Sequence, residues 1–505
     1  MENRLKDRRL SKPARSLRHG TTMLALIALL SGCQVLSGVS EDAFRPSTNP
    51  VTVDSVTRND RMAALAREQH PRILATYGGE YSDAKLERMV ARVVGSLTVD
   101  SDNLNQTYQI TILNSPAINA FALPGGYLYV TRGLLALAND SAELAAVISH
   151  EMAHVTTNHG IQRQQKEAEE VLASQVVNDV LRKDPAARVA LVRGKLRLAQ
   201  FSRQQELEAD AIGIRAIARA GYDPFAAARF IQAMDAYSAS RNVTGQTDEG
   251  LDFLSSHPNA PQRIELAQRH ARQYAPPGTG QRDRNPFLDG IDGMLFGDTA
   301  QEGYVRGRTF LHPQLGVSFS VPEGFVIDNS AAAVTASGPG EMAIRFDGVA
   351  LDPRVPLSDY VRSGWVAGLD NASVRPLSIN GNDAINARAQ ADKWRFDITV
   401  VRAGNQVYRL LTAAPATAQV AGRSGLDSVA TTVRDSFRTL SPGERQALKP
   451  LKVRVITAKP GDTVAILAAR MEGVDRKLEM FRLINAMNAG ATVSAGARVK
   501  IITDK

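Results

Sequence analysis

The chain has 505 residues, 44% of them hydrophobic, a formal net charge of +8 and one cysteine. That length exceeds what one core holds and predicts two to four domains, while the ordinary apolar fraction excludes wholesale disorder. A single cysteine excludes a disulfide-built scaffold. The charge excludes less than it suggests, because residues 1–32 carry seven basic and two acidic side chains. Without them the balance is 8 − 5 = +3, too mild to predict a nucleic-acid partner.

In chain order, Arg4 to Arg18 form a basic start, and "MLALIALL" follows, too short to span a bilayer but suited to a signal-peptide core. It runs into Leu30-Ser31-Gly32-Cys33, which resembles the lipobox of bacterial lipoproteins. The resemblance implies cleavage after residue 32 and a lipid on Cys33. Gln34 is not the aspartate of an inner-membrane retention signal, so the expected location is the periplasm, anchored to the outer membrane. Residues 33–58 read as a tether, 59–274 as the first globular domain, 275–304 as a linker rich in Pro, Gly and charge, 305–441 as an α+β domain, and 450–503 as a last unit of strand, helix, helix, strand.

Within the first domain, Arg61 to Leu97 has apolar residues at helical spacing, broken at Gly78-Gly79. "YQITILNS" alternates like a strand, and "AFALPGGYLYVTRG" predicts a hairpin turning at Pro124-Gly125-Gly126. Its edge, at Asn119, Ala120 and Phe121, is suited to pairing with an extended peptide. The following "AVISHEMAHV" reads as a helix with His150 and His154 one turn apart and Glu151 beside the first. Two histidines on one face can close on a single metal ion, and a catalytic site then needs a third protein ligand. "QQELEAD" offers Glu206 and Asp210 on one face or Glu208 on the other, and periodicity leaves that choice open. Residues 160–200 read as a solvated amphipathic helical insertion between the two ligand-bearing helices. His159, five residues past His154, is expected round the helix in a structural place, Glu208 at a solvated position, and His70, His270 and His312 in ordinary packing.

"HEMAHV" followed by "ELEAD" resembles the gluzincin zinc-metallopeptidase family of HtpX, BepA and the mitochondrial OMA-type proteases. "NAFALPGGYLYVTRGLL" and "SHPNAPQRI" (residues 256–264) match further stretches of that family, and the resemblance covers roughly residues 60–275. It implies a mainly α-helical zincin-type peptidase domain with a small β-hairpin sheet. One zinc per chain would be held by His150, His154 and Glu206, with Asp210 orienting a ligand histidine and Glu151 as general base. It also implies that His257 stabilises the tetrahedral intermediate, or takes the open zinc position and keeps the enzyme latent, and that Arg263 fixes its loop through a carboxylate.

The α+β domain is faintly similar to PsbP-like modules. The last unit resembles a LysM module through Pro460-Gly461-Asp462-Thr463, Ile484-Asn485 and Gly496, which implies glycan (peptidoglycan) binding by residues 452–503. The expectation is a multidomain, lipid-anchored zinc endopeptidase acting on misfolded or misassembled envelope proteins. The alternatives are a non-catalytic assembly or chaperone factor and a peptidoglycan-binding scaffold.

Overall fold

A computed structural model describes residues 60–99, 107–163, 165–166, 185–244, 257, 262–329, 333–416, 422–474 and 476–505. The expected signal segment, Cys33 and the tether lie outside the described residues, as do 167–184 of the expected helical insertion and the residues flanking His257.

Helices α1 (Asp60–Thr76) and α2 (Ala84–Val99) open the first domain. Leu86, Met89, Val90, Val93, Val94 and Leu97 put one apolar stripe of α2 into the core. Strands β1 (Gln109–Leu113), β2 (Ala120–Leu123) and β3 (Tyr127–Thr131) form a sheet in the order β1-β3-β2. The hairpin turns at Pro124-Gly125-Gly126, where both glycines have φ near +86°, a region closed to most side chains. Its consequence is that β2 lies at the sheet edge.

Helices α3 (Arg132–Leu137), α4 (Ser141–Thr156), α5 (Pro185–Arg219) and α6 (Ala226–Thr244) come after β3, and α7 (Gln262–Ala271) closes the group. The Asp140 side chain caps α4 by accepting from the Glu143 amide at 2.9 Å. From Ser141 to Glu151 every residue of α4 is buried, so this helix is central to the domain. It ends at Thr156, and Asn158, at φ +57°, redirects the chain in the left-handed conformation that terminates many helices.

The expected linker is not a bare connection. Residues 284–291 form α8 (Arg284–Ile291), and β4 (Leu295–Phe296) follows. Phe287, Leu288, Ile291 and Met294 are buried in the same core as α2 and α4. Composition concealed this: the Pro- and Gly-rich start of the segment precedes a short apolar helix face.

The next domain contains β5 (Tyr304–Arg306), β6 (Thr309–His312), β7 (Val317–Ser320), β8 (Val326–Asn329), β9 (Val334–Ser337) and β10 (Ala343–Val349). After α9 (Leu357–Arg362) come β11 (Leu369–Ile379), β12 (Asn382–Ala391), β13 (Trp394–Ala403) and β14 (Gln406–Pro415), then α10 (Gly422–Ser436), β15 (Arg438–Thr439) and α11 (Pro442–Ala447). The main sheet is antiparallel, in the order β11-β12-β13-β14-β10-β9-β8, and a smaller one runs β15-β7-β6-β5. Phe346, Tyr408 and Val401 pack on one face with Phe319 and Phe437, whereas Ile398, Val400 and Val407 pack on the other with Leu357 and Val361. Helices on an antiparallel sheet give the α+β architecture read from 305–441.

The last unit has the expected order: β16 (Leu451–Thr457), α12 (Val464–Ala469), α13 (Lys477–Ile484) and β17 (Arg498–Thr503). Thr463 caps α12, and the Asn485 amide ties the end of α13 to β17 through the Lys500 backbone. It is not an independent module. β16 pairs with both β17 and β4, and Val453, Leu467, Phe481 and Ile502 share one core with Leu86 and Ile148. Fully buried Lys500 donates to the Ala136, Leu137 and Ala138 carbonyls, at 2.8, 3.2 and 2.6 Å, where α3 ends. A cation suits that helix terminus. Among the described residues, no helix is long and apolar enough to cross a membrane.

Candidate metal centre

The two motif-bearing helices cross where Gly213 of α5 faces α4. A Cβ at 213 would lie 3.1 Å from Ser149 Oγ and 3.2 Å from the His150 amide nitrogen. Ser149 Oγ donates to the Gly213 carbonyl at 3.2 Å. This close passage brings the next two turns of α5 toward the histidines.

His150 Nε2 and His154 Nε2 are 3.0 Å apart. The Glu206 carboxylate faces both, with Oε2 3.4 Å from His150 Nε2 and Oε1 3.5 Å from His154 Nε2. Of the two faces left open by periodicity, the one carrying Glu206 and Asp210 therefore meets the histidines. Glu206 is fully buried, whereas the Glu208 side chain is 53% exposed. His257 joins the same cluster: its Nδ1 lies 3.1 Å from each Glu206 oxygen and 3.3 Å from His150 Nε2. One donor atom from each of the four residues falls within 4.8 Å of the others.

A second layer fixes the first. Asp210 Oδ1 sits 3.0 Å from His150 Nδ1. Arg263 holds that carboxylate with two bonds of 2.8 Å and reaches Glu206 Oε2 at 3.3 Å. If His150 gives its Nδ1 proton to Asp210, its Nε2 carries a lone pair. That lone pair meets a second imidazole nitrogen and a carboxylate in a buried site, a donor set suited to a cation, and a borderline divalent ion such as zinc favours it.

The same contacts shift the proton affinities of the cluster, and a metal ion would compete with the proton they hold on His150. Burial alone would lower the His150 pKa, but hydrogen bonds to Asp210 and Glu206 outweigh it and push it up to about 10. Burial would raise Glu206, yet His150 and His257 hold it well below the usual carboxylate range. Burial drives His154 down. Glu151 is buried, its Oε1 has no hydrogen-bond partner and lies 3.5 Å from His257 Nε2, and burial raises its pKa. It is a carboxyl with an unused acceptor beside the cluster.

The edge strand β2 packs against α4. Asn119 and Ala120 are buried, with Asn119 Nδ2 donating to Tyr77 Oη at 3.0 Å, and half-buried Phe121 stacks on Tyr129 at 4.8 Å. His70 instead bonds Tyr129 Oη at 2.8 Å, and His312 accepts from the Leu315 amide. Neither belongs to the cluster, and nor does His270.

His159 departs from expectation. It does not lie round the helix, because the chain turns back at Asn158, and its Nδ1 ends 2.9 Å from His154 Nδ1. The one signal in the sequence was an asparagine at a position where it can leave the helix.

Comparison with known proteins finds a family match over part of the chain. Residues 80–271 match Peptidase family M48. The M48 segment runs from just before α2 through α7 and includes all four residues of the cluster. Mitochondrial metalloendopeptidase OMA1 of Schizosaccharomyces pombe is 30% identical over 212 residues, 40% of this chain and 58% of that protein. The Beta-barrel assembly-enhancing protease of Yersinia pestis is 29% identical over 204 residues, 38% of this chain and 40% of that protein. The chain thus spans about half the length of these relatives. Among solved structures, cyanobacterial PsbP from Synechocystis matches 28% of this chain at 13% identity with a TM-score of 0.22, too low for conclusions about fold.

Proposed function

We propose that the protein is a zinc-dependent endopeptidase of the cell envelope. The supporting observation is the convergence of His150, His154, Glu206 and His257 beside the buried acceptor of Glu151 within the M48 segment. His150, His154 and Glu206 would hold one zinc, which supplies positive charge to polarise a peptide carbonyl and to lower the pKa of water. Asp210 and Arg263 keep His150 and Glu206 aimed at that point. Glu151 takes a proton from the attacking water and delivers it to the departing amine, a shuttle that a raised carboxyl pKa suits. Strand β2 pairs with the substrate backbone and presents the scissile bond to Glu151.

His257 takes one of two roles. With Nδ1 among the ligand atoms it would serve as a further metal donor and hold the enzyme latent; swung away, it would stabilise the negative charge that develops on the substrate carbonyl. The packed arrangement favours the latent role. Proposed substrates are misfolded or misassembled envelope proteins, in keeping with the name of the Yersinia relative. The proposed anchor is a lipid on Cys33, reached from the outer membrane. Glycan binding by residues 452–503 is a separate proposal, tested by pull-down with peptidoglycan.

Cleavage of unfolded casein tests the enzymatic reading. Wild type is expected to cleave and Glu151→Gln to lose at least a hundredfold in rate at equal zinc content. Equal zinc with no cleavage by either, and none by His257→Ala, would favour the non-catalytic assembly factor.

A further inference from the structure

We propose that His159 is a positioning residue for His154: it fixes the proton on His154 Nδ1 and leaves Nε2 as the metal-facing atom, with Glu208 as the outer end of the relay. This rests on the metal-binding reading above.

An Nδ1-to-Nδ1 separation of 2.9 Å between two imidazoles requires a single proton between them. Which ring owns it depends on what faces the other end. His159 Nε2 has no hydrogen-bond partner and lies 3.5 Å from Glu208 Oε2, close enough for charge attraction, so the favoured tautomer keeps the His159 proton on Nε2, toward the carboxylate. His159 Nδ1 then accepts, and His154 must donate from Nδ1. The His154 Nε2 lone pair is left 3.0 Å from His150 Nε2 and 3.5 Å from Glu206. The opposite tautomer would put a proton on His154 Nε2, inside the ligand cluster, where it competes with a metal ion.

The local fold is built for this contact. Thr157 ends α4, Asn158 turns the chain, and His159 comes back over His154 with its ring 1% exposed, edge-on at 4.9 Å. Gln205 Nε2 donates to the His159 carbonyl at 3.1 Å, tying the turn to α5 one residue before Glu206. Helix α5 thus carries a ligand and the supports of both histidines: Asp210 directly for His150, Glu208 through His159 for His154. Orienting partners of this kind are worth about 10- to 100-fold in metal affinity.

The test is zinc titration of the full chain against a chromophoric chelator, with thermal unfolding of each variant as a folding control. His159→Phe keeps the ring volume and is expected to bind zinc 10- to 100-fold more weakly than wild type. His159→Asn places a side-chain oxygen where Nδ1 stood and is expected to recover most of that loss, which mere packing would not achieve. Glu208→Lys, on an exposed helix face that tolerates substitution, is expected to weaken zinc about tenfold by favouring the wrong tautomer. Wild-type affinity in His159→Phe, or an equal loss in the Phe and Asn variants, would overturn the proposal. Should the Phe variant not fold, unchanged affinity in Glu208→Lys overturns it alone. Absence of zinc from wild type itself would instead sink the metal-binding reading.

Discussion

Gly213 and His150 meet backbone to backbone: a Cβ on the glycine would stand 3.4 Å from the His150 Cα and 3.2 Å from its amide nitrogen. Both partners are helix backbone and cannot step aside as a flexible side chain would. Gly213→Val is expected to push α5 off α4, carrying Glu206 and Asp210 away from the histidines. Zinc affinity should fall by at least tenfold while helical circular dichroism is retained. Unchanged affinity would show that the crossing is looser than the distances indicate.

Arg263 compensates two buried carboxylates, Asp210 and Glu206. Removing it strips Asp210 of its guanidinium and Glu206 of one of its cationic neighbours, and losing one partner of a buried pair typically costs about 3–5 kcal/mol. Arg263→Ala should lower unfolding stability in urea by that order. Arg263→Lys should fall between, because lysine keeps the charge but not the planar fork.

Lys500 ties the last strand to the end of α3 just ahead of the capped start of α4. Burial lowers its pKa to about 7, with Glu143 and Asp140 opposing that shift. Lys500→Met leaves the Ala136 and Ala138 carbonyls without this donor, while the Leu137 carbonyl keeps Asn139 Nδ2 at 3.0 Å, and is expected to destabilise the fold by about 2–4 kcal/mol. Unfolding followed by hydrogen exchange of the last unit's backbone amides and by metal release should shift together if the last unit is part of the peptidase core. A stable peptidase with only the last unit loosened would contradict the shared core.

Asp298 lies between β4 and β5, its pKa raised by burial to about 6, with the Val305 amide bond opposing. An aspartate in the unfolded chain ionises near 3.9, so the unfolded state loses its proton first and stability is lost as pH rises from about 4 to 6. Asp298→Asn removes that loss. It should stabilise by about 1–2 kcal/mol at pH 7.5, with the gain shrinking toward zero as pH falls to 4. Thermal melts across that range check the sign.

The centre of the site was legible because helix geometry is local. His150 and His154 one turn apart, and Glu206 and Asp210 one turn apart, each needed only a period of 3.6. What the residues alone left open, Glu206 against Glu208, depended on how α5 is rotated over α4, a tertiary fact set by Gly213. His159 was misplaced because the helix was read as continuing, whereas a single left-handed residue at Asn158 reverses the chain. The shared core of the last unit was invisible for a different reason. Lys500 in a strand reads as solvent-facing, and only a contact more than 360 positions away makes it a buried cap. Phe287, Leu288 and Ile291 were in view, but the Pro and Gly around them suggested a linker.

The most direct measurement is the metal content of purified full-length protein together with Glu206→Ala and His154→Ala, by mass spectrometry after exhaustive dialysis. One zinc per wild-type chain and none in either variant is the expected result. A wild type without zinc, or a Glu206→Ala chain that keeps a full equivalent, would contradict a centre built from these side chains.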